Sequence, residues 1–425
     1  MEPLDRPLRA VLRPPGDKSV SHRALLLAAA AKGRSRIAGL GPGADVRSTL
    51  RALACFGPRF EERDGAWEVE SPGLDGWHEA EDVIDCGNSG TTLRLLSGLA
   101  ATRPFLTLLS GDGSLRRRPM DRVAEPLRAM GARVDGRGAG RYAPLAVRGG
   151  ELRPLRWRSP VASAQVKSAI LLAGLRAGGE TAVEEPAPSR DHTERLLAWL
   201  GLPVATEGRL VRLAGPATPP PFRLEVAGDP SSAFPWAVLA VLTPGSELEV
   251  EGVLLNPLRL GGYRLLQRMG ADVEFLPERQ EAGEPVGRIR LRSSPLRAVR
   301  VDEDEVPAAV DELPLLAVAA CAADGESHFR GLGELRVKES DRVRAMAEGL
   351  AAMGLPVTEE GDGWRVRGPG RARSARVSSL GDHRVAMALA VAAWALLRPG
   401  EAVELEGAES VAISYPGFFR EVRPA

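Results

Sequence analysis

Lysine is almost missing from this chain. Lys18, Lys32, Lys167 and Lys338 are the whole complement among 56 basic residues, so surface positive charge has been handed to arginine. Arginine serves wherever only net charge matters. A guanidinium cannot replace a compact ammonium able to lose its proton in a buried site, which draws attention to Lys18 in PPGDKSVSHRALLL and Lys338 in ELRVKESDRVRAM. Asparagine is scarcer still, with only Asn88 and Asn256. Together with 34 prolines and the arginine excess, this suits heat adaptation or a codon bias toward arginine. Aromatics are 4% and the formal charge is zero, which gives neither a base-stacking platform nor a counterion-releasing surface, so no nucleic acid is expected. Cys55, Cys86 and Cys321 are odd in number, far apart and without a CxxC pair, which excludes a disulfide framework and a zinc site. A reducing, cytoplasmic setting is expected. The longest apolar run, Val385 to Leu397, is too short to span a bilayer and reads as a buried helix, and MEPLDRPLRAVLRPPGD has no apolar leader core. No membrane partner is expected.

What is present is a large, repetitive α/β chain. Its 425 residues, 44% of them hydrophobic, can bury an extensive core in two or three domains. Five segments read as an amphipathic helix stopped by glycine and followed by a strand. Their glycines are Gly57, Gly131, Gly201, Gly270 and Gly354. Six Ala-rich, nearly unbroken apolar helices interleave with them, each followed by a turn and a strand, and should be buried on most sides. The expectation is six units of about seventy residues, three to each half.

The signature segments fall at the starts of the buried helices. Asp85-Cys86-Gly87-Asn88-Ser89-Gly90-Thr91-Thr92, Ser163-Ala164-Gln165 and Lys18-Ser19-Val20-Ser21 each bring turn residues and hydroxyls to a helix N-terminus, where backbone N–H groups and the dipole favour an anion. A plain capped turn uses the same residues. GDGSLRRRPMDR sets Arg116, Arg117 and Arg118 before Pro119, which reads as a solvated basic loop or an anion grip. Ser189-Arg190-Asp191-His192-Thr193-Glu194 offers a basic group and a capping box from Asp191 to Glu194. In Lys338-Glu339-Ser340-Asp341-Arg342 the two cations are four apart, which on a helix puts them on one face. Asp311 is expected to open the helix that runs to Ala323. Asp382-His383-Arg384 precedes the run from Val385, and the acidic stretch Asp302 to Glu305 reads as a solvated loop, since it lacks a glycine-turned calcium loop.

In order, PPGDKSVSHRALLLAA, DCGNSGTTLRLL, GDGSLRRRPM, SAQVKSAILLAGL, SRDHTERLL, GDPSSAFP, VDELPLLAVAA, LRVKESDRV and GDHRVAMA resemble the 5-enolpyruvylshikimate-3-phosphate synthases, enolpyruvyl transferases, nearly end to end. The resemblance implies two similar domains of three βαβαββ units each, an inside-out α/β barrel-like fold with the site in the interdomain cleft. The first domain would be residues 1–13 plus 227–425 and the second 14–226. It also implies transfer of the carboxyvinyl group of phosphoenolpyruvate to the 5-hydroxyl of shikimate 3-phosphate, by addition and elimination. Lys18, Ser19, Arg23, Ser163, Arg190, Asp311 and Lys338 would surround shikimate 3-phosphate. Lys18, Gly90, Arg118, Gln165, Arg342 and Arg384 would surround phosphoenolpyruvate. Asp311 would be the base, with Glu339 and Lys18 as candidates for the other proton. Two phosphates and two carboxylates suit forked guanidinium groups, so arginine and lysine stand in for a metal, and no metal or cofactor is expected. A monomer is expected.

Three positions depart from the family pattern: Ile413 stands where some members have a lysine, Glu334 where some have asparagine, and Leu95 where others have proline. The rivals are UDP-N-acetylglucosamine enolpyruvyl transferases, a nucleic-acid end-processing enzyme of related architecture and a non-catalytic phosphosugar binder. The first of these usually carry a reactive cysteine in the loop matching Gly111 to Pro119, and that loop has none here.

Overall fold

A computed structural model describes residues 1–4 and 6–421. The chain forms two compact units. One comprises Met1–Pro15, Gly228–Arg279 and the chain from Pro285; the other comprises Gly16–Ala227 with Gln280–Glu284.

The repeat is clearest in the strand Ile84–Asp85, which runs parallel to Thr107–Ser110 and is joined to it by the helix Gly90–Ala100. After the helix Asp121–Ala129, the hairpin Arg133–Arg137 and Tyr142–Arg148 adds two antiparallel strands, so the sheet order places the last strand beside the second. The sheets built on Arg156–Arg158 and on Arg300–Val301 repeat this βαβαββ order. Two further sheets take their first strand from far along the chain: Arg9–Leu12 pairs with Glu247–Leu254, and Arg223–Glu225 pairs with Lys32–Ala38.

The sixth repeat is truncated, which corrects the expectation of six equal units. Its sheet has two strands, Ala375–Ser378 and Val403–Glu406, and a 3-10 turn, Ala408–Ile413, where the second helix would be. Hence five glycine-stopped helices accompany six buried ones. Phe418 of the tail helix packs there on apolar side chains, with its ring 5.1 Å from Trp236 and 5.5 Å from Trp394.

All five helix-stopping glycines have positive φ, from 75° at Gly201 to 111° at Gly57, a region side chains with a Cβ avoid. The buried helices Lys18–Ala30, Gly90–Ala100 and Ala164–Gly174 pack together in one unit, and Pro230–Leu242, Leu313–Ala322 and His383–Leu396 in the other. Small residues permit this. A Cβ on Gly98 would lie 2.3 Å from the Ala169 carbonyl oxygen, so two helix backbones touch there. No helix among the described residues is long and apolar enough to cross a membrane.

Candidate functional site

Within the unit of residues 16–227, the helix starts singled out in the sequence are tied to one another. Asp17 caps the helix Lys18–Ala30, Ser89 caps Gly90–Ala100 and Ser163 caps Ala164–Gly174, each through its side-chain oxygen. Gln165 Nε2 donates to Thr91 Oγ1 at 2.8 Å, and its Oε1 accepts from Arg94 at 2.6 Å, which links the second and third helices. Arg23, buried, donates to Thr193 Oγ1 at 2.7 Å, Ser168 Oγ at 2.8 Å and the Ser19 carbonyl at 2.9 Å. Arg190 reaches Ser19 Oγ at 3.5 Å. Of the three arginines before Pro119 only Arg118 turns inward, donating to Asn88 Oδ1 at 2.9 Å, while Arg116 and Arg117 stay exposed. A Cβ on Gly90 would sit 3.2 Å from Arg118 Nη1 and 2.8 Å from Arg94 Nη1. Lys18, Ser19, Arg23, Gly90, Arg118, Ser163, Gln165 and Arg190 therefore form one connected cluster.

Two members of that cluster were not anticipated. Asp45 lies 3.1 Å from Lys18 Nζ, so the candidate lysine has a buried carboxylate partner. It lies a helix away in sequence, and only folding brings it in. Arg94, one turn after Gly90, was in principle readable from its i+4 spacing.

Beneath the helix starts runs a chain of polar side chains. His22 Nδ1 lies 2.6 Å from Thr49 Oγ1, which lies 2.7 Å from Thr92 Oγ1, and Thr92 donates to Ser89 Oγ at 2.7 Å. Burial holds the His22 pKa well below its ordinary value, with Lys18 and Arg23 adding to the effect. Below about pH 6.5 the unfolded chain therefore takes up a proton that folded His22 refuses. Stability is expected to fall as pH falls from there, by about 1.4 kcal/mol per unit for this one group, until folded His22 also protonates. Urea unfolding of His22→Asn across this range should give a flatter profile than the unaltered chain. An equal slope would mean His22 is not the source.

The second unit holds the other cluster. Arg342, buried, is gripped by three carboxylates: Asp382 at 2.8 Å, Glu339 at 2.6 Å and Asp311 at 3.5 Å. Burial opposes its charge, but Asp382, Glu339 and Asp311 outweigh that and raise its pKa. Asp382 also caps the helix His383–Leu396 by accepting from the Arg384 and Val385 amides. Burial lowers the Lys338 pKa against the opposing pull of Asp311, and Arg342 lowers it further. Glu334, not carried over as a ligand, is also close enough to act on Lys338. Arg384 is buried. Its Nη1 donates to the Ser231 carbonyl at 3.1 Å, its Nε has no protein acceptor, and no carboxylate among the described residues is within ion-pair distance. Asp311, Lys338, Glu339, Arg342 and Arg384 thus stand together.

Three local expectations are corrected. The Asp191–Glu194 capping box does not form: Asp191 makes no side-chain cap bond and instead accepts from Arg195 at 2.8 Å, while Glu194 turns inward to Lys167. Buried charge outcompetes the cap. Lys338 and Arg342 do not share a helix face, because the helix begins at Arg342 and Lys338 follows the 3-10 turn Leu332–Val337. Asp311 precedes its helix, which spans Leu313–Ala322. The run Asp302 to Glu305 is a largely exposed turn, as expected. Ile413 ends the 3-10 turn Ala408–Ile413 and is partly exposed.

All three cysteines are free, and burial pushes the Cys321 thiol up to about 12, so it is not a nucleophile at neutral pH. The group Asp191, His192 and Glu284 is compact enough for a metal, but Arg195 already supplies a cation, 2.8 Å from Asp191 and 3.7 Å from Glu284.

The family model of EPSP synthase (3-phosphoshikimate 1-carboxyvinyltransferase) matches residues 4–422. A 3-phosphoshikimate 1-carboxyvinyltransferase of Thermus thermophilus is 54% identical over 98% of this chain and 96% of its own length. One of Desulfitobacterium hafniense is 45% identical over 98% and 95%. The solved structure of EPSP synthase from Acinetobacter baumannii superposes with a TM-score of 0.86 at 39% identity, covering 99% of this chain and 96% of that one. With the family pattern matched over almost its whole length, this chain belongs to the EPSP synthase family.

Proposed function

We infer that this chain transfers the enolpyruvyl group of phosphoenolpyruvate to the 5-hydroxyl of shikimate 3-phosphate, releasing phosphate, in the shikimate pathway to aromatic amino acids. Between them the substrates bring two phosphates and two carboxylates, and the two clusters supply matching cations. We assign Lys18, Ser19, Arg23, Ser163, Arg190, Asp311 and Lys338 to shikimate 3-phosphate, and Lys18, Gly90, Arg118, Gln165, Arg342 and Arg384 to phosphoenolpyruvate. Domain boundaries at residues 14 and 227, a monomeric state and a cytoplasmic location belong to the same reading.

The observation that supports it most is Arg384. A buried guanidinium without a carboxylate is costly by several kcal/mol unless an anion arrives to share its hydrogen bonds. Arg342 differs, since its guanidinium is already held by three carboxylates. In the reaction, Asp311 accepts the 5-hydroxyl proton while the methylene carbon of phosphoenolpyruvate receives one from Glu339 or Lys18. The substrate oxygen bonds to the neighbouring carbon. The tetrahedral adduct then loses a methyl proton and expels phosphate, which restores the double bond. Cationic side chains stabilise the charge that develops on the leaving group.

Mixing the purified protein with both substrates and measuring phosphate tests this directly. Phosphate release that requires both substrates is expected, and its absence would reduce the chain to a binding protein. Glyphosate, which mimics part of phosphoenolpyruvate, is expected to inhibit. Gly90→Ala puts a methyl group against Arg94 and Arg118, so glyphosate inhibition should weaken by about tenfold or more, with a rise in the KM for phosphoenolpyruvate. Unchanged potency would count against this placement of Gly90.

A further inference from the structure

Lys167 is a rare lysine that the reaction above leaves unused. We propose that Lys167, acting through Glu185, is a positioning residue for the shikimate 3-phosphate contacts Ser163 and Arg190. The proposal rests on the reading that those two residues meet that substrate.

The ammonium is ion-paired with Glu185 Oε2 at 2.7 Å and Glu194 Oε1 at 2.8 Å and donates to the Ser189 carbonyl oxygen at 3.4 Å. Two carboxylate oxygens and a carbonyl oxygen so close to one point suit a compact ammonium. A planar guanidinium needs more room and presents its donors in a flat fork. This explains why lysine persists here in a chain that uses arginine almost everywhere else. All three charged side chains are buried, with Lys167 at 3%, Glu185 at 4% and Glu194 at 5% exposure, so the pairing is shielded from water and salt.

Glu185 passes this anchoring on. Its Oε1 accepts from the Ser163 amide at 2.9 Å and from the Ser189 hydroxyl at 2.8 Å. One carboxylate therefore fixes both the residue that caps the helix Ala164–Gly174 and the residue just before Arg190. The next positions along both helices repeat the tie: Ser168 Oγ lies 2.7 Å from Thr193 Oγ1, and Arg23 donates to both. Lys167 thus lies beneath the junction from which Ser19, Arg23, Ser163 and Arg190 all project. Two carboxylates face one ammonium, and burial raises the Glu194 pKa against the pull of Lys167, so the cluster depends on its single cation.

The experiment compares the full-length chain with Lys167→Arg and with the double variant Lys167→Met and Glu194→Leu, which removes one charge of each sign and so keeps the cluster's net charge. Both keep every residue assigned to substrate. Calorimetric binding of shikimate 3-phosphate and steady-state constants for each substrate are measured beside thermal melting. The expected result is weakening of shikimate 3-phosphate binding and a rise in its KM by about tenfold or more, with the KM for phosphoenolpyruvate changed less than about threefold. Should Lys167→Arg fail to fold, the double variant reads the same quantity. A lowered melting temperature with unchanged shikimate 3-phosphate affinity would overturn the proposal and leave Lys167 a structural residue, and so would equal losses for both substrates. If the unaltered chain neither binds shikimate 3-phosphate nor releases phosphate, it is the underlying functional reading that fails.

Discussion

Replacing Asp311 by asparagine is expected to lower kcat by about 10³-fold, in the range for losing a general base, with both KM values nearly unchanged. The substitution keeps the shape and an oxygen able to accept from Arg342, which stays tied to Asp382 and Glu339. What disappears is the ability to hold a proton taken from the 5-hydroxyl. Folding should barely respond, because the Asp311 contact with Arg342 is the longest of the three at 3.5 Å. A variant that keeps more than a tenth of the original kcat would show that another group is the base. Glu339→Gln is the companion measurement. If Glu339 supplies the proton to the methylene carbon, its loss should lower kcat with both KM values nearly unchanged.

Asp382→Ala is expected to cause the largest loss of stability, roughly 3–5 kcal/mol by urea unfolding. Asp382 is fully buried and performs two tasks with one carboxylate. Oδ2 accepts from Arg342 Nε at 2.8 Å, and Oδ1 accepts from the Arg384 amide at 2.8 Å and from the Val385 amide. Alanine leaves a buried guanidinium short of its most deeply buried counter-charge and uncaps the helix His383–Leu396, a cap alone being worth about 1 kcal/mol. Asp382→Asn can still cap and should cost less. The difference between the two variants separates cap from ion pair. A loss under about 1 kcal/mol for the alanine variant would mean that Glu339 and Asp311 suffice to hold Arg342. Activity should fall as well, since Arg384 begins at the amide that Asp382 holds.

The helical framework was legible because it depends on local rules. A glycine past an apolar-periodic stretch stops a helix wherever it occurs, and each of the five positive-φ glycines does so here. The motifs at Lys18, Gly90 and Ser163 could be placed at helix starts for the same reason. Where the reading went astray, a distant charge overrode a local preference. Glu194 sits at the right spacing to complete a capping box but is drawn to Lys167, 27 residues earlier in the chain. Asp45 could not be paired with Lys18 from spacing, as they lie on different helices. The sixth repeat was counted from its apolar helix, which is intact. Its missing hairpin left no trace in that helix.

From the residues alone came the kind of chemistry: a chain that abandons lysine except at a few sites, and sets arginine and hydroxyl groups at helix starts, is built to hold small anions. Folding alone settled which cations are already matched and which are not. Ion pairing depends on separations of a few ångströms between groups on different elements of the chain, such as Arg342 and Asp382. Arg342 and Arg384 look equivalent as letters, yet one is enclosed by three carboxylates and the other by none among the described residues.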